Sequence, residues 1–137
     1  MTEEWDQSVL AVSPGDAIPT ISISMTLQRL VMEAGANRDF SLMHHDRAVA
    51  QSAGAPDAFA NTFFLMGMFE RLVREWVGPT ARINKIGPLK MLNFNTIGNV
   101  LTFAGRVDTV EKDRIALGLW CESGREVTTT CSMEINL

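Results

Sequence analysis

Both histidines of this 137-residue chain and two of its carboxylates fall within eight consecutive residues, Asp39 to Asp46, in the run DFSLMHHD. An imidazole changes charge near pH 6.5, and a carboxylate beside it can orient or activate a bound water. An Asp and a His that meet across a loop therefore form an acid/base pair fit for neutral pH, and Asp39 with His44 are the candidates. Asp46 stands where the N-cap of a helix belongs, and His45 is read as an ordinary loop residue. A metal ion is the other chemistry such a cluster could serve. Consecutive His44 and His45 are awkward to aim at one ion, and no third histidine exists to complete a site, so no metal is expected.

These residues need elements to hold them. After a turn marked by Pro14, Gly15 and Pro19, Ile21, Ile23 and Met25 alternate with Ser22 and Ser24, the period of a half-buried strand. Thr26 is placed to cap a helix whose Leu27, Leu30, Val31 and Ala34 recur at helical spacing, and Gly35 is expected to stop it. Asn37 to His45 carries neither period and reads as a loop. Asp46 then caps a short helix through Ala53 that Gly54 ends. From Asn61 to Val77, Phe63, Phe64, Leu65, Met66, Met68, Phe69, Leu72, Val73 and Trp76 make almost every face of a helix apolar, as expected of one buried on several sides. Gly78-Pro79 terminates it. Strands follow at Ala81–Ile86, Leu101–Val110, Arg114–Cys121 and Val127–Ile135, with turns at Lys112-Asp113 and Ser123-Gly124.

A lone strand, short helices, one long buried helix and then a meander predict an α+β domain: an antiparallel sheet wrapped around a central helix, the hot-dog architecture. The cone-shaped nuclear-transport-factor arrangement is the rival, but it normally opens with helices. With 46% apolar and 20% charged residues the chain can bury one core. One domain over 14–137 is expected, behind a flexible segment at 1–13. The sequence has no apolar run of membrane-spanning length and opens on the acidic MTEEWDQSVL, so a soluble, cytoplasmic protein without membrane contact is expected. A net charge of -4 with scattered cations argues against nucleic acid as a partner. Cys121 and Cys131 belong to no metal-binding spacing and read as buried, reduced, structural thiols.

The segment RDFSLMHHDRAVAQSAG resembles the hydratase motif of MaoC-like, R-specific enoyl-CoA hydratases. That motif has an Asp, an Asn-Pro pair, a His five residues after the Asp and an acid two beyond it. Asp39, His44 and Asp46 match, whereas Ser41 and Leu42 stand in place of Asn and Pro. The resemblance runs from about Pro14 to the C-terminus. Gly15-Asp16 through Pro19 are similar to the family's opening, and Pro79-Thr80-Ala81-Arg82 follow the long helix as in the family. Phe59-Ala60-Asn61-Thr62 depart from its usual Ala-His-Gly, with Asn61 and Thr62 replacing His and Gly. Within the family, this motif and the stretch from Asp57 to Gly87 resemble the small MaoC-like subunit of actinobacterial steroid side-chain hydratases.

That resemblance implies an acyl-CoA thioester substrate with a bulky, steroid-like acyl group. It implies no cofactor beyond the substrate's coenzyme A. Asp39 and His44 would be catalytic, and Phe59, Ala60, Asn61 and Thr62 would bind substrate, with backbone amides at the start of the long helix meeting the thioester carbonyl. It also implies a homodimer, or a heteromer with a second MaoC-like subunit. Two other functions remain open. A hot-dog thioesterase typically places its carboxylate on the central helix, where this chain has only Glu70 and Glu75, near the wet end. A non-catalytic acyl-CoA-binding or partner subunit would not need both Asp39 and His44.

Overall fold

The computed structural model describes residues 11–137, so most of the segment expected to be flexible lies outside the described residues. Strand β1 (Ala17–Ser24) is followed by helices α1 (Leu27–Ala36), α2 (Arg47–Ser52) and α3 (Thr62–Val77). Strands β2 (Arg82–Ile86), β3 (Lys90–Met91), β4 (Val100–Glu111), β5 (Arg114–Ser123) and β6 (Glu126–Asn136) complete the chain. The strands form one antiparallel sheet in the order β1-β4-β5-β6-β2, with β3 also on β6.

The alternation along β5 decides which face is core. Ile115, Leu117, Leu119 and Cys121 are buried while Ala116, Gly118, Trp120 and Glu122 are only partly covered. Opposite them, α3 contributes Leu65, Met68, Phe69, Leu72 and Val73. Phe69 meets Phe103 of β4 edge to face at 5.3 Å, one of the arrangements aromatic pairs prefer. Each large side chain fully buried here is worth about 1.5–3 kcal/mol, so the sheet and α3 hold each other. The glycine at 105 permits this closeness, since a Cβ there would lie 2.5 Å from a Leu119 methyl.

Three corrections to the expected elements bear on the site. Gly35 does not stop α1, which runs on through Ala36. The helix ends instead in a Schellman motif: Asp39 N–H donates to Ala34 O at 2.9 Å and Arg38 N–H to Gly35 O at 3.2 Å, with Arg38 at φ 54°. A glycine usually holds that left-handed position. The Asn37–His45 segment contains a single 3-10 turn, Leu42–His44. Finally, α3 is not buried all round, since Phe63 is 64% exposed and Phe64 and Met66 are only half-buried. The expected caps are present: Thr26 Oγ1 accepts Arg29 N–H and Asp46 Oδ1 accepts Val49 N–H; Asn61 also serves as a cap, its Oδ1 accepting Phe64 N–H. No helix of the described residues is long and apolar enough to cross a membrane.

Candidate active site

Asp39 is the residue at which the chain leaves α1, and its position is set by main-chain bonds before its side chain makes any. Ser41 N–H then donates to Asp39 Oδ1 at 3.2 Å, closing a tight turn that leads into the 3-10 segment and buries His44. His44 Nδ1 lies 2.8 Å from Phe59 O. A carbonyl can only accept, so Nδ1 carries a proton. The other ring nitrogen, Nε2, lies 3.0 Å from Asp39 Oδ2. Two bare acceptors do not sit at that separation, so one proton is shared between imidazole and carboxyl.

The electrostatics favour leaving the charge on Asp39. Desolvation alone would raise its carboxyl, but the Ser41 N–H, the neighbouring His44 and the Asn61 amide outweigh it and hold Asp39 below the usual carboxylate range. His44 is also fixed from behind. The edge of its ring meets Phe59 at 5.2 Å, and Phe59 packs on Phe94 at 4.8 Å. The backbone of 58–60 is tied down in turn, with Ala60 N–H donating to Asn95 O and Ile97 N–H to Ala58 O, both at 2.9 Å. Buried Asn95 is itself held by Thr128 Oγ1 at 2.6 Å and Thr129 Oγ1 at 3.1 Å. The sheet therefore fixes His44 through two layers of polar contacts.

Of the four residues expected to bind substrate, three have internal partners. Phe59 supports His44, Ala60 is locked to Asn95, and Asn61 is buried. Asn61 Nδ2 donates to Asp39 Oδ2 at 3.3 Å, and Asn37 Nδ2 donates to Asn61 Oδ1 at 3.2 Å. The backbone N–H of Asn61 goes to Glu33 Oε1 at 3.0 Å, so this amide, one of those expected to face a thioester, is already bound. The N–H groups of Thr62 and Phe63, at the open end of α3, have no partner among the described residues. Exposed Thr62 touches Met91 Sδ through Oγ1 at 3.5 Å.

Of the remaining candidates, His45 shares a recess with Asp39, whereas Glu70 and Glu75 stand apart from the pair. His45 is exposed and lines, with Val31, Ala34, Gly35, Phe40 and Asp39, an open apolar recess of about 310 Å³. Glu70 and Glu75 on α3 are held by Arg74 and Arg71 in ion pairs of 2.8 and 2.7 Å. Among the described residues no group of three or more His, Cys, Asp or Glu is gathered where it could hold a metal ion. Cys121 and Cys131 are buried, free thiols, each raised by burial. Sequence reasoning missed Glu33, Asn37 and Asn95. Glu33 left a faint signal, an acid on the same helical face as Leu30 and Ala34.

Comparison with known proteins bears on the fold and the family. No family model matches the chain. The 3-oxo-4,17-pregnadiene-20-carboxyl-CoA hydratase beta subunit of Mycobacterium tuberculosis is 31% identical over 123 residues, 88% of this chain and 95% of that protein. The crystal structure of the ChsH1-ChsH2 complex from the same organism contains a chain that superimposes with a TM-score of 0.87 at 28% identity, covering 92% of this chain and 98% of that one. An (R)-hydratase from A. caviae involved in PHA biosynthesis shares the fold at TM-score 0.84 and 16% identity, covering 93% of this chain and 98% of that one. A six-stranded antiparallel sheet around one helix, with an Asp–His pair at that helix's start, defines a hot-dog protein of the hydratase class. The chain belongs to the MaoC-like hydratase family.

Proposed function

We propose that the protein hydrates a trans-2-enoyl-CoA to an R-3-hydroxyacyl-CoA, or runs the reverse dehydration, in the cytoplasm. The observation that carries this reading is the 3.0 Å approach of Asp39 Oδ2 to His44 Nε2 beside the open N-terminus of α3. A water held by the pair loses a proton to it as its oxygen bonds to C3. The C2=C3 electrons move onto the thioester as an enolate, and a proton from the same site adds to C2, so one water is taken up and no redox change occurs. General acid/base help of this kind is worth about 10²–10⁴ in rate. The unpartnered N–H of Thr62, with that of Phe63, would meet the enolate oxygen. No metal or cofactor other than the coenzyme A of the substrate takes part.

The M. tuberculosis relative acts on a steroid-type acyl-CoA and is a beta subunit, which supports a bulky acyl group and a second MaoC-like subunit here. Exposed Phe63 and Leu92, and Phe40 and Leu42 around the Asp39 turn, are apolar surface that such a partner would cover. The ion-paired state of Glu70 and Glu75 leaves a thioesterase without a free carboxylate on α3. The test incubates the purified chain with short and bulky enoyl-CoAs, alone and with the product of the neighbouring gene. Loss of enoyl absorbance, a mass gain of one water and R configuration of the product are expected. Free coenzyme A as the product, or no turnover in any combination, overturns the reading.

A further inference from the structure

Glu33 is the one buried acid of the described core, and it stands directly behind the site. Its Oε1 accepts the Asn61 N–H at 3.0 Å, while Oε2 is buried with no partner among the described residues. Asn61 is the junction. Its backbone is held by Glu33, its Oδ1 caps α3 through Phe64 N–H at 2.8 Å, and its Nδ2 reaches Asp39. We propose that Glu33 is a positioning residue: by fixing the Asn61 backbone it holds the Asn61 amide against Asp39, and its state of charge is felt at the Asp39–His44 pair. This inference deepens the hydratase reading and rests on it for its kinetic part.

Glu33 must be neutral when the site is at work. Two carboxylates bridged by a single asparagine would repel each other, and the proton shared by Asp39 and His44 would be held more tightly. The groups that act on Glu33 are Asp39 from the turn, which opposes its ionisation, and Arg29 one helical turn earlier, which favours it. Arg29 Nη1 is engaged with Ser24 O at 2.6 Å, so no ion pair compensates a charge on Glu33. Burial, the largest influence, together with Asp39 pushes the carboxyl up to about 8 against the opposing pull of the Asn61 N–H and Arg29. Glu33 therefore stays protonated through neutrality, and Asp39 is the anion paired with His44.

Glu33→Gln keeps an acceptor for Asn61 N–H but cannot ionise, whereas Glu33→Leu removes the acceptor. The direct readout is NMR titration of the Asn61 amide and the His44 ring in the intact protein. In the wild type both should show an inflection above neutral pH, absent in Glu33→Gln. Turnover should follow the same logic. Glu33→Gln should keep kcat within about threefold of wild type at neutral pH and lose any alkaline decline that matches the inflection. Glu33→Leu should lower kcat at least about tenfold. An alkaline inflection that persists in Glu33→Gln, or wild-type kcat in Glu33→Leu, overturns the proposal. Should Glu33→Leu not fold, the Glu33→Gln titration decides alone. A wild type that turns over no enoyl-CoA overturns the hydratase reading instead, and the NMR titration still decides the role of Glu33.

Discussion

Asp39→Asn separates chemistry from architecture because the two effects differ in size. The main-chain bonds that place residue 39 do not involve its side chain, so the turn after α1 survives. If the new carbonyl takes the Oδ1 position and keeps the Ser41 N–H, the new NH2 replaces Oδ2. There it can donate to His44 Nε2, preserving the Nδ1–H···Phe59 arrangement, but it faces the Asn61 amide donor to donor. One partly exposed hydrogen bond is lost, about 1 kcal/mol, or a Tm fall of roughly 4 °C. If the proposed acid/base pair is at work, catalysis loses one of its two members, a factor of about 10²–10⁴, equivalent to about 3–5 kcal/mol in the barrier. Steady-state hydration of an enoyl-CoA measured beside a thermal melt reads both quantities. A kcat/KM within about tenfold of wild type refutes the assignment of Asp39.

His44→Ala should cost as much activity as Asp39→Asn, while His45→Ala should stay within about threefold. Equal damage from the two histidine variants, assayed under the same conditions, identifies the wrong imidazole. Glu33 should also tilt stability with pH. Its carboxyl rises from 4.5 to about 8 on folding, so its contribution is full below 4.5 and declines up to about pH 8, at about 1.4 kcal/mol per pH unit. Urea unfolding of wild type and Glu33→Gln should then differ by about 3 kcal/mol more at about pH 7 than at about pH 5, and parallel curves rule this out. Asp39 acts with the opposite sign: held below 3.8, it adds stability above that value that is lost as pH falls through its lowered pKa in the fold. Association should track turnover, so sedimentation and specific activity should fall together on dilution; constant activity in dissociated chains contradicts a site completed by a partner.

The elements legible in the sequence were those whose signal is local. Period-two alternation located β1, the turns at Lys112-Asp113 and Ser123-Gly124 separated β4, β5 and β6, and Thr26 and Asp46 announced the helix starts because a cap needs only its own side chain and an N–H nearby. The Asp39–His44 pairing was legible because both partners sit on one short turn. What escaped is non-local or depends on main-chain geometry. Asn95 acts through Thr128 and Thr129, more than thirty residues away, and β3 is two residues long. Gly35 misled because a glycine near a helix end usually marks the C-cap, yet here Arg38 takes the left-handed position. Phe63 was one of the apolar positions that make almost every face of α3 greasy, and the 3.6-residue period turns it away from the face of Leu65, Phe69 and Leu72.

The motif that ends α1 bears on how this loop can change over evolutionary time. Because Asp39 is delivered by amide-to-carbonyl bonds from the helix, the side chains at the two positions after Phe40 are released from the duty of shaping the turn, which falls to their main-chain groups. Ser41 contributes its N–H and a carbonyl that accepts His44 N–H, and Leu42 a carbonyl that accepts the N–H groups of His45 and Asp46, main-chain groups that do not depend on either side chain. A rigid Asn-Pro pair is one way to stiffen such a bend; a helix terminus wound onto the bend is another. Substitutions at 41 and 42 should therefore be cheap in this chain, and the selective constraint is transferred to Ala34, Gly35 and Arg38, whose backbone carries the aim of the carboxylate.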